Sequence, residues 1–330
     1  MTILRLAFVL TGSAPRRGTH SGAGRIVTVR MRPLCLEERR IVEPTVSFAA
    51  LAQGTATAIQ GSRPVTLDGY VDEILAGGFP GMRRFAGRPL TAQLDSYLER
   101  VVDHELPEAG FVVRRPATVT GWLQAYAAAT ATTASWESIR DAATGASGAK
   151  PAKTTTIPYV ELLSSLRILD ELPAWTPANK HFTRLGAASK HHLADPALAA
   201  RLLQRTKRHL LTGAEGRVIP NDGTLLGNLF ESLTALSVRT YAQALGGRSY
   251  HLRADSDRRE IDFIVEVDGG VLALEVKLGG AVDSADARHL RWLREQIGDR
   301  LVDAAIITTG PEAYRRRDGI AVIPLALLGA

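Results

Sequence analysis

The chain has 330 residues, room for two or three compact domains, and its 45% apolar and 22% charged content excludes wholesale disorder. Forty Lys and Arg against 34 Asp and Glu leave a net charge of +6, a balance that favours an acidic partner such as nucleic acid. Cys35 is the single cysteine, which excludes an intrachain disulfide and a cysteine-rich zinc site and fits a reducing cytoplasm.

Met1 to Leu10 holds a short apolar run without the basic start of a signal peptide, so Leu6 to Ser13 reads as a buried strand ending in a small polar loop. No run approaches the roughly 20 apolar residues of a membrane span, so no membrane partner is expected. Helices are predicted at Gly121 to Ala129, Ser135 to Ala143 and Ile157 to Leu169, the last with Pro158 in its first turn. Gly145 to Pro151, between the second and third of these, reads as a flexible linker. It is not a phosphate-gripping loop, which needs Gly-x-x-x-x-Gly-Lys followed by Ser or Thr, and no such run occurs in the chain. His191-His192 are adjacent and so point in different directions, a poor metal pair.

The C-terminal third predicts an α/β arrangement. A helix spans Leu225 to Leu245, with Leu225, Leu229, Leu233 and Leu236 on one stripe and Glu231 among them. Ile261 to Val267 and Val271 to Leu278 are rich in β-branched and aliphatic residues, and Asp268-Gly269-Gly270 supplies a tight hairpin turn. Each hairpin strand is expected to carry one apolar and one charged face. A helix over Asp286 to Ile297 and strands at Val302 to Thr308 and Ile320 to Pro324 complete a mixed sheet with helices on its faces.

The hairpin carries the chemistry. Asp262 on one strand and Glu275 on the next repel unless a cation lies between them, and Mg²⁺ or Mn²⁺ is the natural occupant of such oxygen ligands. Lys277 beside them is suited to orient an attacking water or offset phosphate charge. The bland counterpart is a solvated Glu-x-Lys on a strand surface. Arg258-Arg259 just before Asp262 is placed to hold a phosphate backbone, or to pair on the surface.

The order Glu231 on a helix, Asp262 on a strand and Glu275-Val276-Lys277 on the next resembles the PD-(D/E)XK nuclease superfamily, with Ile261 where its usual Pro stands. That resemblance implies metal ligation by Asp262, Glu275 and the Val276 carbonyl, a water-assisting Lys277 and a supporting acid, Glu231. A second resemblance rests on Leu6 to Ser13, Arg30 to Leu34, Gly77-Gly78-Phe79-Pro80, Tyr97 to Arg100 and Leu193-Ala194-Asp195-Pro196. These runs are similar to a bacterial and archaeal family of AAA-like ATPases that carry a C-terminal domain of unknown function. It implies that Thr11 and Ser13 are nucleotide-sensing residues and that this chain starts after both ATP motifs, so ATP hydrolysis by it alone is not expected.

Three segments are implied. Residues 1–90 are the end of a P-loop ATPase domain, 91–212 a helical winged-helix-like region, and 213–330 a nuclease-like domain. The third helix of the middle region has a single basic residue among Val160 to Arg167, poor for phosphate contact, so a structural or protein-contact role is favoured there. The expected activity is divalent-metal hydrolysis of nucleic acid, DNA before RNA, by a cytoplasmic protein. The alternative is a non-catalytic binder of nucleic acid, of a partner ATPase or of a second copy of the chain.

Overall fold

A computed structural model of the protein describes residues 27–62, 65–108, 110–111, 113, 115–143, 153–176, 188–212, 225–254 and 259–330. Thr11, Ser13 and the strand expected around them, the Gly145 to Pro151 linker, and Arg258 lie outside the described residues.

The helices are α1 (Phe48–Ala52), α2 (Leu67–Ala76), α3 (Gly87–Arg100), α4 (Leu106–Glu108), α5 (Pro116–Ala128), α6 (Trp136–Ala142), α7 (Lys153–Ser165), α8 (Pro196–Leu202), α9 (Lys207–Thr212), α10 (Leu225–Ala244) and α11 (Arg288–Ile297). The strands are β1 (Val46–Ser47), β2 (Gly61–Ser62), β3 (Arg248–Ala254), β4 (Arg259–Val267), β5 (Gly270–Lys277), β6 (Leu301–Thr308), β7 (Glu312–Arg315), β8 (Ala321–Pro324) and β9 (Leu328–Gly329).

Seven strands form a mixed sheet in the order β2-β7-β8-β6-β5-β4-β3. The expected hairpin is present: β4 and β5 pair antiparallel from Phe263 opposite Leu274 to Val267 opposite Gly270. Its turn passes through Gly269 at φ +102°, a conformation open to a residue without Cβ. β5, β6 and β8 are parallel neighbours, as crossover connections dictate, with α11 between β5 and β6.

The hairpin departs from the expected split into one apolar and one charged face. Phe263, Val265, Leu272 and Leu274 join the core under α10, while Ile264, Val271 and Ala273 join a second core under Leu290 and Leu293 of α11. A central strand covered on both faces reads as a continuous apolar run, so charge is pushed to the strand ends.

Residues 27–90, expected as the end of an ATPase domain, build no sheet of their own among the described residues. Their two short strands find partners in the C-terminal part: β1 pairs parallel with β9, and β2 pairs antiparallel with β7 as an edge of the large sheet. One cluster of buried apolar residues takes in Cys35, Trp122, Phe230 and Leu328.

In the middle region α5 and α6 occupy the first two expected helices. α7 begins at Lys153, so Pro158 sits inside the helix rather than in its first turn and forgoes one backbone hydrogen bond. After α7 the chain forms antiparallel bridges, Leu169 with Leu193 and Leu172 with Lys190, and a parallel bridge from Ala174 to His251 ties this segment to β3.

Asp170 in that segment gathers three arginines: Arg30 at 2.7 Å, Arg32 at 3.0 Å and Arg239 at 2.7 Å. An Asp170→Asn variant is expected to lose about 2 kcal/mol in urea denaturation, below the cost of a fully buried pair because the arginines keep some access to water. Unchanged stability would remove this node from the forces joining the start of the described chain to α10.

Candidate functional site

α10 positions Glu231 by burying its neighbours Leu229, Phe230 and Leu233 against the sheet. On β4 the pairing with β5 stops at Phe263, and the register with β3 shifts between Tyr250 and Leu252, the mark of a bulge near Asp262. Beyond that point a side chain takes over from the ladder. The Val276 N–H donates to Asp262 Oδ2 at 2.8 Å. The end of the hairpin is thereby fixed with Asp262 and Glu275 both buried at its mouth.

Four of the residues read from the sequence come together here. Lys277 Nζ lies 3.2 Å from Glu275 Oε1 and 4.0 Å from Asp286, and it is the group of this set most open to solvent. Glu231 approaches from α10. Val276, whose carbonyl the nuclease resemblance assigns to a metal, is tied by its N–H to Asp262.

Two further residues complete the site, and the sequence reading gave them no role in it. Lys190, in the bridged segment before α8, is almost fully buried and places its ammonium 2.8 Å from Glu231 Oε1, 2.8 Å from Asp262 Oδ1 and 3.0 Å from Glu260 Oε1. Its partners Glu231 and Asp262 lie 41 and 72 positions away, so no local pattern announces it. Glu260 is also within 3.5 Å of Arg253.

The charges set one another. Burial, reinforced by Asp262, pushes the Glu231 carboxyl up to about 8, and the same two causes push Glu275 well above the ordinary carboxylate range. Burial opposes the charge on Asp262, yet Lys190 and the Val276 N–H outweigh it and hold that carboxylate below its usual value. Burial likewise opposes the charge on Lys190, but Asp262, Glu231 and Glu260 keep it firmly protonated.

Hard oxygen donors suit Mg²⁺ or Mn²⁺. Among the described residues Glu275 Oε2 is buried without a hydrogen-bond partner, the condition of an oxygen that lacks a cation or donor. Glu275 thus offers one oxygen of the kind such an ion takes. Both Asp262 oxygens are already engaged, and among the described residues no three His, Cys, Asp or Glu are arranged as a ready-made metal cage.

The other candidates have structural partners. His191 Nε2 meets the Ala134 carbonyl at 2.7 Å and its ring packs on Trp136, while His192 Nδ1 meets Ser232 Oγ at 3.3 Å. The two rings thus serve different neighbours. Arg259 stacks over Trp292 at 5.4 Å. No helix among the described residues is long and apolar enough to cross a membrane.

Residues 67–209 match the model of a domain of unknown function (DUF8612), and residues 226–328 match that of another domain of unknown function (DUF4143). No curated protein matches the chain. Among solved structures, "protein VC1899 from Vibrio cholerae" shares 16% identity over 80% of this chain, with a TM-score of 0.25. The chain spans 58% of that protein's length, and so slight a likeness carries no argument. The C-terminal part of the chain, with Glu231, Asp262, Glu275 and Lys277, matches a domain found in AAA-like ATPase-associated proteins.

Proposed function

We propose that the chain hydrolyses nucleic-acid phosphodiesters, DNA before RNA, at the mouth of the β4–β5 hairpin. The observation that carries this reading is the meeting of Asp262, Glu275 and Lys277 at one buried strand end with Glu231 alongside, in the order of the PD-(D/E)XK resemblance. Asp262, Glu275 and the Val276 carbonyl would hold Mg²⁺ or Mn²⁺. Such an ion, when bound, polarises a phosphoryl oxygen and makes bound water more acidic.

The protein's own groups have separate tasks. Lys277, the most solvent-exposed of the set, meets an incoming phosphate and offsets its charge, while Glu275 holds the Lys277 ammonium in place. Asp262 locks the two strands at the site through the Val276 N–H. The basic balance of the chain favours a polyanionic substrate.

The test compares wild type with Lys277→Ala on labelled single- and double-stranded DNA and RNA, with Mg²⁺, with Mn²⁺ and with chelator. Cutting that needs the metal and falls about 100-fold or more in the variant is expected, the scale of losing a positioned proton-transfer or charge-offsetting group. Cutting without metal, or equal cutting by both proteins, rejects the reading.

A second reading is favoured by Lys190, which already supplies positive charge to three of the acids. In it the domain is a non-catalytic docking surface for nucleic acid or a partner ATPase. Binding of DNA that is never cut and is indifferent to chelator would select it.

A further inference from the structure

Among the described residues, the carboxyl groups of Glu231, Glu260, Asp262 and Glu275 crowd one site, with Asp286 at its edge 4.0 Å from Lys277. Among the described residues, Lys277, Arg253 and Lys190 face them. Lys277 touches Glu275, Arg253 touches Glu260, and Lys190 alone of the three contacts Glu231, Glu260 and Asp262 together. Its backbone is held through both polar groups, because the Lys190 N–H donates to the Leu172 carbonyl at 2.9 Å and the Leu172 N–H donates to the Lys190 carbonyl at 2.9 Å. With its side chain 1% exposed, an outward swing would strand a charge among buried groups. The ammonium is therefore fixed where the acids converge, and Glu275 Oε2 there is buried without a hydrogen-bond partner among the described residues.

We infer that Lys190 is the resident cation of this cluster, and that a divalent metal ion enters between Asp262 and Glu275 in competition with its charge. A divalent ion next to an ammonium that shares Asp262 meets like-charge repulsion. Metal affinity is consequently set by the segment carrying Lys190 as well as by the hairpin. The inference rests on the metal-binding part of the phosphodiesterase reading, and its test reads affinity rather than cleavage.

The test titrates Mn²⁺ into wild type, Lys190→Met and Lys190→Met with Glu275→Gln, following free Mn²⁺ by electron paramagnetic resonance and melting temperature in parallel. Met keeps the length and apolar stem of Lys and removes its charge. The single variant is expected to bind Mn²⁺ at least 10-fold more tightly than wild type and to gain more thermal stability from it, and the double variant to lose that gain. If Lys190→Met is unfolded without metal, Mn²⁺ is expected to restore its helical circular dichroism. Equal or weaker Mn²⁺ binding by a folded Lys190→Met, a gain that survives Glu275→Gln, or failure of Mn²⁺ to restore an unfolded variant overturns the inference. A protein that shows the gain yet never cuts nucleic acid keeps the resident cation and rejects the phosphodiesterase.

Discussion

An Asp195→Ala variant is expected to lose about 3–5 kcal/mol of unfolding free energy, the cost of breaking a buried charge pair from one side. Asp195 is fully buried. Its Oδ1 accepts from the Ala197 N–H at 2.8 Å as the N-cap of α8, and its Oδ2 accepts from the Gly78 N–H at 2.7 Å. The Arg39 guanidinium, whose side chain is equally buried, stands 3.8 Å away and donates to the Leu34 and Glu73 carbonyls. Alanine would remove the cap, orphan the Gly78 amide and leave Arg39 with Glu73 as its remaining acid. Each loss costs about 1–3 kcal/mol on its own, and they share one carboxylate, so they do not add in full. Asp195→Asn keeps an acceptor and is expected to lose about half as much. Urea denaturation with an unchanged slope measures both. A loss under about 1 kcal/mol for alanine would mean that α2 and α8 hold together without this link.

That link also shows what kind of information the sequence carries. Gly77-Gly78 and Asp195-Pro196 stand out in the chain as separate family-like runs, and nothing local says that they touch across 117 positions. In the fold they are two halves of one contact. A Cβ on Gly78 would lie 2.3 Å from the Leu34 carbonyl oxygen, so glycine is required there by close approach of the backbone. Asp195 followed by Pro196 is by contrast readable as a helix start from composition, because a capping acceptor and a proline at the first helical position suit orphan amides.

The same division runs through the rest of the molecule. α10, α11, the β4–β5 hairpin, β6 and β8 are long enough for their apolar patterns to show, and they lie close to where the patterns place them. β1 and β2 have two residues each and owe their existence to partners at Leu328 and Ala313, so no period betrays them. Of the site, Asp262, Glu275 and Lys277 were legible because a hairpin brings neighbours in sequence together. Glu231 was legible through its helical stripe combined with a resemblance. Lys190 was not, because a charge inside an otherwise buried stretch finds its explanation only in acids contributed by α10 and β4.

Replacing His251 by Gln is expected to change how stability depends on pH. His251 on β3 is fully buried, its Nε2 faces the Ala188 carbonyl at 3.0 Å, and its Nδ1 has no hydrogen-bond partner among the described residues. Burial, followed by the charge of Lys190, lowers its pKa to about 4, with Arg253 acting in the same direction and Glu260 and the Ala188 carbonyl against it. Between about 4 and the unfolded value of about 6.5 the unfolded chain holds the proton and the folded one does not. Stability contributed by the neutral ring is therefore present above pH 6.5 and lost as pH falls toward 4, by about 3 kcal/mol in all. His191 and His192 are shifted the same way by burial. Glu231, raised to about 8 by burial and Asp262, has the opposite sign: its protonated form favours the fold below the ordinary carboxylate range, and that contribution disappears as pH rises through 8. Because these slopes oppose each other, the wild-type curve alone cannot isolate one histidine. The difference between wild type and His251→Gln does, since Gln can still donate to the Ala188 carbonyl but takes up no proton. Urea denaturation at about pH 7 and pH 4 should show that difference moving against wild type by about 3 kcal/mol. The same difference at both pH values would mean that His251 is protonated as readily in the folded protein as in the unfolded chain, and that the ring does not remain neutral beside Lys190.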